Sequence, residues 1–183
     1  MIILGIDPGS IICGYGLIKQ NRKAVEILEY GVIRAKKKSE LLSERLKEIF
    51  LRLNSVISRN KPQYSVFETM FYSRNAQSLI KLSHARSAAM LAVSINNIPI
   101  IEFSPREIKK SVTGYGNASK QQVQFMVKRI LDIDETPEFY DVSDALAAAL
   151  CFHFKNYYND NLSGIKDWKK FIEHHPERVV KIH

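Results

Sequence analysis

The stretch that decides the fold is I-I-L-G-I-D-P-G, residues 2–9. Its apolar run predicts a buried strand, and the strand ends at Pro8-Gly9 because this pair favours a turn. Asp7 is the only charged residue of the stretch. Burying an unpaired carboxylate is costly, so Asp7 needs a cation or hydrogen-bond donors. Two interpretations are open at this point: Asp7 belongs to a functional site, or it caps the turn that follows it.

The composition predicts one globular domain with a basic character. The chain has 183 residues, 45% hydrophobic and 25% charged, which is enough for a domain with its own core. Its net charge of +8 favours polyanionic partners such as nucleic acids. Residues 104–130 carry one acid, Glu107, against six basic residues: Arg106, Lys109, Lys110, Lys120, Lys128 and Arg129. This segment is therefore a candidate for contacts with a phosphate backbone.

Neither a membrane segment nor a disulfide is expected. No apolar run approaches the roughly 20 residues that span a bilayer, and the first residues lack the pattern of a signal peptide. Cys13 and Cys151 match no metal-binding spacing and lie in apolar surroundings, so they are predicted to be small core residues in a reducing compartment. We expect a cytoplasmic protein with no membrane partner.

The order of predicted elements is three strands, helix, strand, helix, strand and then helices. Short turns join the first three strands into a meander, and the later alternation of strands and helices predicts a mixed sheet with a parallel portion, covered on both faces. The predicted strands are 2–7, 11–19, 24–35, 64–67 and 98–103, and the predicted helices are 39–58, 75–95, 105–112, 119–131 and 138–157.

Helix ends are marked by local signals. Ser39 is a candidate cap for the first helix, and two capping boxes, at 104–107 and 119–122, begin later helices. Residues 159–161, Asn-Asp-Asn, predict a loop after the last long helix, and residues 167–174 could form one more short helix. We expect a domain over residues 1–157 and a C-terminal extension over 158–183.

Three further acids stand where they could join Asp7. Glu68 ends the fourth predicted strand, whereas Asp141 and Asp144 lie three residues apart and therefore on one face near a helix start. That helix pair could equally be a charge pair that favours the helix dipole. If these ends converge, the carboxylates share a pocket of the kind that holds hard divalent cations. Two such ions can activate water and stabilise the leaving oxygen in phosphodiester cleavage.

Several motifs together resemble the RuvC family of Holliday-junction resolvases, within the RNase H-like nuclease superfamily. They occur in family order and cover roughly residues 1–155. The motifs are G-I-D-P-G (5–9), G-Y-G (14–16), F-E-T-M-F (67–71), N-A-Q-S-L-I-K-L (75–82), T-G-Y-G-N-A-S-K (113–120) and D-V-S-D-A-L-A-A-A (141–149).

The resemblance implies a fold, an activity and a set of partners. The fold would be RNase H-like, a five-stranded mixed sheet made of a three-strand antiparallel meander plus parallel strands, with helices on both faces. The activity would be paired symmetric nicking of four-way DNA junctions by a homodimer, with RuvA and RuvB as branch-migration partners. Mg2+, two ions per site, would be the cofactor, with Mn2+ as a substitute. The catalytic and metal-binding acids would be Asp7, Glu68, Asp141 and Asp144.

The resemblance also implies DNA-binding residues. Lys109 and Lys120 match family lysines near the scissile phosphate, and Phe71 matches an aromatic residue that contacts unpaired bases. Arg74 lies in the same DNA-contacting loop. The helix over 75–95 resembles a dimer-interface helix. For Phe71 and for this helix, plain core packing stays open as the alternative.

Two rival functions use the same fold. A ribonuclease H-type enzyme would cut RNA–DNA hybrids, and a non-catalytic module would bind nucleic acid without cutting it. The motif around Phe71 favours the resolvase over the first, and the intact set of four acids argues against the second. A nucleotide-binding ATPase is disfavoured because the chain has no G-x-x-x-x-G-K-[ST] run.

Overall fold

The structure, a computed structural model, describes residues 1–21, 24–35, 41–70, 76–133 and 139–162. Within the last range it describes the backbone alone for Phe139, Asp141 and residues 157–162. Several predictions lie outside the described residues: Ser39, Phe71, Arg74 and the helix at 167–174.

The predicted mixed sheet is confirmed. Its five strands lie in the order β3-β2-β1-β4-β5. The first three form the antiparallel meander, and β4 and β5 extend it with parallel pairing on the other side of β1. The strands are β1 (Ile2–Asp7), β2 (Ile12–Asn21), β3 (Ala24–Arg34), β4 (Tyr64–Glu68) and β5 (Ile100–Phe103).

Helices cover both faces of the sheet, because the central strands carry apolar side chains on both faces. Leu4, Leu17 and Phe67 belong to the core on the side of α1 and α2. Ile3, Ile18 and Val66 belong to the core on the side of α3, α4 and α5. The helices are α1 (Leu42–Asn60), α2 (Ala76–Ser94), α3 (Pro105–Thr113), α4 (Lys120–Leu131) and α5 (Phe139–Leu162). None of the described helices is long and apolar enough to cross a membrane.

Both predicted capping boxes are present, at the starts of α3 and α4, but two predicted helix ends are wrong. The N-cap of α1 is Leu41, which makes no side-chain cap bond, whereas the predicted cap, Ser39, lies outside the described residues. Burial of Ile49 and Leu53 stabilises this helix instead. The loop predicted at 159–161 is helical, because α5 continues to Leu162. Asn and Asp are weaker helix formers but do not stop a helix as proline does, and neither Pro nor Gly occurs between 139 and 162.

Helix α5 lies unusually close to the sheet, and two glycines allow it. A Cβ atom at Gly5 would overlap the backbone oxygen of Ala145, and one at Gly16 would overlap the side chain of Leu146. The small residues of β1, β2 and α5 therefore let the two backbones approach. This packing holds the first turns of α5 against β1, the strand that ends at Asp7.

Candidate active site

Two acids leave the sheet at the same edge. Asp7 is the last residue of β1 and Glu68 the last residue of β4. These strands are parallel neighbours, and their pairing runs to Ile6 opposite Phe67. The next residue on each strand is therefore an acid at the carboxyl end of the sheet, where α/β proteins commonly place their sites.

A third acid reaches this edge from α5. Asp144 directly precedes Ala145, the residue whose backbone packs on Gly5 of β1. Its side chain is 30% exposed, and its Oδ2 accepts a hydrogen bond of 2.7 Å from Lys120 Nζ. Asp141 lies three residues earlier in the same helix, where the structure describes its backbone but not its side chain.

The electrostatics of Glu68 show that these charges converge. Burial, followed by the negative charges of Asp7 and Asp144, raises the pKa of Glu68 from 4.5 to about 7, whereas the positive charges of Lys109 and Lys120 oppose that rise. Like charges raise a carboxyl pKa only when they are close and poorly screened. Three of the four candidate acids, Asp7, Glu68 and Asp144, therefore lie close together, and both candidate lysines lie beside Glu68.

The two lysines come from the basic segment. Lys109 lies on α3, and Lys120 is the first residue of α4, directly after its capping serine. Together with Glu68 and Asp144 they line a cleft of about 190 Å³. The cleft presents ammonium groups beside carboxylates, a suitable place for a phosphate group bound next to cations.

A second cleft adjoins Glu68 on its other side. It measures about 280 Å³ and is lined by Asp7, Glu68, Met70 and Arg86, among others. Met70 is the last described residue before 71–75, the segment that contains Phe71 and Arg74.

The acids suit a hard divalent cation in chemistry, although the three with described side chains, Asp7, Glu68 and Asp144, do not form a closed ligand cluster. Among the described side chains, no group of three His, Cys, Asp or Glu is arranged to hold a metal ion. The donors that converge are carboxylate oxygens, which Mg2+ and Ca2+ prefer. Burial, followed by the negative charges of Asp7 and Asp144, raises the pKa of Glu68, and a divalent cation bound beside it would favour its ionised form.

One residue of this region escaped sequence reasoning. Arg86, on α2, is 8% exposed. Its Nη1 donates a hydrogen bond of 2.6 Å to the backbone oxygen of Glu68, and its Nη2 donates to the carboxylate of Glu102. The available signal was a single charge within a run of small residues, A-R-S-A-A at 85–89.

Three further side chains with titratable groups, those of His153, Cys13 and Cys151, lie in the core. His153 is 3% exposed, and burial lowers its pKa. Cys13 and Cys151 are free and buried, as predicted. Burial raises the pKa of the Cys13 thiol to about 12 and also raises that of Cys151. These thiols are therefore protonated packing residues at neutral pH.

Comparison with known proteins identifies the family. The family model described as crossover junction endodeoxyribonuclease RuvC matches residues 3–152. A protein of that name from Chloroherpeton thalassium is 42% identical over 187 residues, which is 99% of this chain and 100% of the relative. Among solved structures, Thermus thermophilus RuvC in complex with a Holliday junction substrate is 29% identical with a TM-score of 0.79, covering 87% of this chain and 96% of that one.

A more distant structure shares the fold alone. The yeast mitochondrial Holliday junction resolvase Ydc2 is 16% identical with a TM-score of 0.62, covering 89% of this chain and 83% of that one. The mixed sheet, its helices and these neighbours confirm the RNase H-like fold. With a family model spanning residues 3–152 and relatives near 40% identity over the whole chain, this chain belongs to the RuvC family of crossover junction endodeoxyribonucleases.

Proposed function

We propose that this chain resolves Holliday junctions: it is a metal-dependent endonuclease that makes paired symmetric nicks in four-way DNA junctions during recombination and repair. The observation that carries the proposal is the convergence of Asp7, Glu68 and Asp144 with two lysines at one sheet edge. Incubating the protein with labelled four-way junction, with and without Mg2+, tests it. Metal-dependent paired nicks are expected, and an intact junction under both conditions would contradict it.

Asp7, Glu68, Asp141 and Asp144 are the proposed metal-binding and catalytic acids, holding Mg2+ as two ions per site, with Mn2+ as a substitute. When bound, the ions supply an activated water and stabilise charge on the leaving oxygen. The chain's own part is to hold the carboxylates together despite their repulsion. The partly buried ends of β1 and β4 and the close packing of α5 on β1 hold these carboxylates in place.

Lys109 and Lys120 are proposed to bind the scissile phosphate. Fixed positive groups stabilise the charge that develops on the phosphate in the transition state. The contact of Lys120 with Asp144 holds its ammonium group at the cleft. Phe71 and Arg74 are proposed to contact the junction's crossover, where an aromatic ring can stack on an unpaired base.

Replacing either lysine with alanine should reduce cleavage by roughly 10²-fold, the usual cost of losing one transition-state donor. Each change should also lower the slope of log K against log salt by about one unit, since one phosphate contact is lost. Nicking rates and salt titrations of junction binding measure both effects. Lys19→Ala is the control, because Lys19 is also paired with an acid, Glu26, at 3.2 Å, but on β2. Unchanged cleavage and slope in both variants would remove these lysines from the DNA site.

The proposed enzyme is a homodimer, since paired nicks need two active sites. Helix α2 supports this proposal with an apolar outer side. Ala85, Ala89 and Ala92 of this helix are buried, whereas Ile80 and Leu91 at its exposed side are 54% and 55% exposed, and Ile95, directly after the helix, is 53% exposed. An exposed apolar stripe of this kind is typical of an interaction surface.

The protein should therefore sediment as a dimer, and Leu91→Lys should shift it towards monomer, because a charge in an apolar interface is left unpaired. Phe125→Lys is the control, since Phe125 is 56% exposed but lies on α4. Sedimentation at micromolar concentration, with and without junction DNA, measures the effect. A wild-type protein that is monomeric under both conditions would contradict the dimer.

Further proposals concern context. RuvA and RuvB are the proposed branch-migration partners. The cytoplasm is the proposed compartment, because the bacterial relatives are endodeoxyribonucleases. Residues 1–157 are the proposed nuclease domain and 158–183 an extension. The end of the family match at residue 152 supports this division, although α5 itself continues to Leu162.

A further inference from the structure

We propose that Arg86 is a positioning residue for Glu68, and that it holds the end of β4 so that the Glu68 carboxylate stays beside Asp7 and Asp144. The inference rests on the proposed function, since it assumes that Glu68 holds metal. Arg86 lines the second cleft with Asp7 and Glu68 but not the cleft of Lys109 and Lys120, and its hydrogen bond to Glu68 is made to the backbone oxygen.

The backbone of Glu68 lies beyond the last residue pair between β4 and β1, so β1 no longer pairs with it. The ladder between β1 and β4 ends with Ile6 opposite Phe67, so Glu68 lies one residue beyond it. The chain of β1 continues through Asp7 into Pro8, and proline has no amide hydrogen to donate. On the other side the ladder persists, because the amide of Thr69 donates to Phe103 at 2.8 Å.

Arg86 supplies a donor at this place. Its Nη1 is 2.6 Å from the Glu68 backbone oxygen, and its guanidinium carbon lies 5.2 Å from the centre of the Phe67 ring. Its Nη2 binds Glu102, on the neighbouring strand β5. One planar group thus joins α2 to the ends of two parallel strands.

Because Arg86 is buried, its guanidinium group depends on these two hydrogen-bond partners. With its side chain 10% exposed, the guanidinium has few alternative partners, and a buried charge must keep the ones it has. Lysine would retain the charge but not the planar fork that serves two acceptors in fixed directions.

The hydrogen bond from Arg86 to the Glu68 backbone, here called the tie, matters because neighbouring charges repel the Glu68 carboxylate. Asp7 and Asp144 both repel its carboxylate, and the strand end could relax to increase their separation. A backbone oxygen held by a buried arginine resists that movement. Loss of the tie should therefore weaken metal binding and cleavage before it affects DNA binding.

Arg86→Lys and Arg86→Gln test the inference, with Arg59→Lys as the matched control. Arg59 also pairs with a glutamate, Glu29 at 2.5 Å, but between α1 and β3. For each protein we would measure the unfolding midpoint, junction affinity, nicking rate and the Mg2+ concentration giving half-maximal rate. Glu68→Gln is measured alongside them.

The Arg86 variants should bind junction within about twofold of wild type, nick it roughly 10- to 100-fold more slowly, and need several-fold more Mg2+. Excess Mn2+ should restore part of the rate, and Arg59→Lys should match wild type. A wild-type rate and Mg2+ requirement in a folded Arg86 variant would overturn the inference. So would parallel losses of fold, binding and cleavage in both variants, because these would assign Arg86 to packing. If Glu68→Gln cleaves normally, the proposed function itself fails, and this outcome is distinct from both.

Discussion

Neutralising any one of the four proposed acids should lower junction cleavage by orders of magnitude and leave junction binding intact or tighter. Asp7→Asn, Glu68→Gln, Asp141→Asn and Asp144→Asn keep side-chain size while removing one negative charge. Cleavage falls because each change weakens a cation site and so the activation of water. Binding survives because fewer negative charges stand beside the phosphates.

The four variants should differ in degree. Asp7 should be the least replaceable, since it lies at the end of the central strand β1, with β2 on one side and β4 on the other. Excess Mg2+ or Mn2+ should partly restore Asp141→Asn and Asp144→Asn if these changes only reduce affinity for one ion. Nicking and gel-shift assays on the same preparations separate chemistry from binding.

Asp132→Asn is the matched control for these changes. Asp132 caps the end of α4 in a left-handed conformation with φ of 50°, which asparagine also tolerates. If a folded variant of one of the four acids cleaves at the wild-type rate, that acid does not belong to the site. Loss of binding together with cleavage in all four would assign the acids to the fold.

Gly5→Ala should destabilise the protein and also reduce cleavage. The new Cβ would overlap the backbone oxygen of Ala145, so α5 must move away from β1. Overpacking of this kind typically costs about 1–3 kcal/mol, and the backbone position of the clash favours the upper end. Because Asp144 precedes Ala145, the same shift displaces an acid of the site. Chemical unfolding and junction nicking measure the two effects.

Gly16→Ala provides the comparison. Its Cβ would overlap only the side chain of Leu146, which can change rotamer or be shortened. We expect a smaller loss of stability there, partly recovered in combination with Leu146→Val, whereas no side-chain change should rescue Gly5→Ala. A Gly5→Ala protein that unfolds at the wild-type denaturant concentration would contradict the close packing of α5 on β1.

Sequence reasoning succeeded where local pattern determines structure. The apolar runs ending in Asp7 and Glu68 predicted two parallel strand ends, and the capping boxes at Ser104 and Ser119 predicted the starts of α3 and α4. The sequence also placed Asp144 near a helix start, and the packing of Ala145 on Gly5 adds that this helix start lies against β1.

It failed where tertiary contacts decide. The N-cap position of α1 is Leu41 and not Ser39, since burial of the apolar side chains of the helix outweighs the preference for a polar cap. No sequence spacing connects Arg86 with the backbone of Glu68, or Lys120 with the carboxylate of Asp144. These pairs are 18 and 24 residues apart and meet only because β4, α2, α4 and α5 converge at one sheet edge.

One measurement tests the central claim most directly: cleavage of a labelled four-way junction, a duplex of the same sequence and an RNA–DNA hybrid, each with and without Mg2+. The structure and the family predict paired, symmetric nicks in the junction only, and only with the metal present. Equal cutting of the RNA–DNA hybrid would favour a ribonuclease H-type activity. Junction binding without any cleavage at any Mg2+ concentration would contradict the assignment of Asp7, Glu68, Asp141 and Asp144 as a catalytic site.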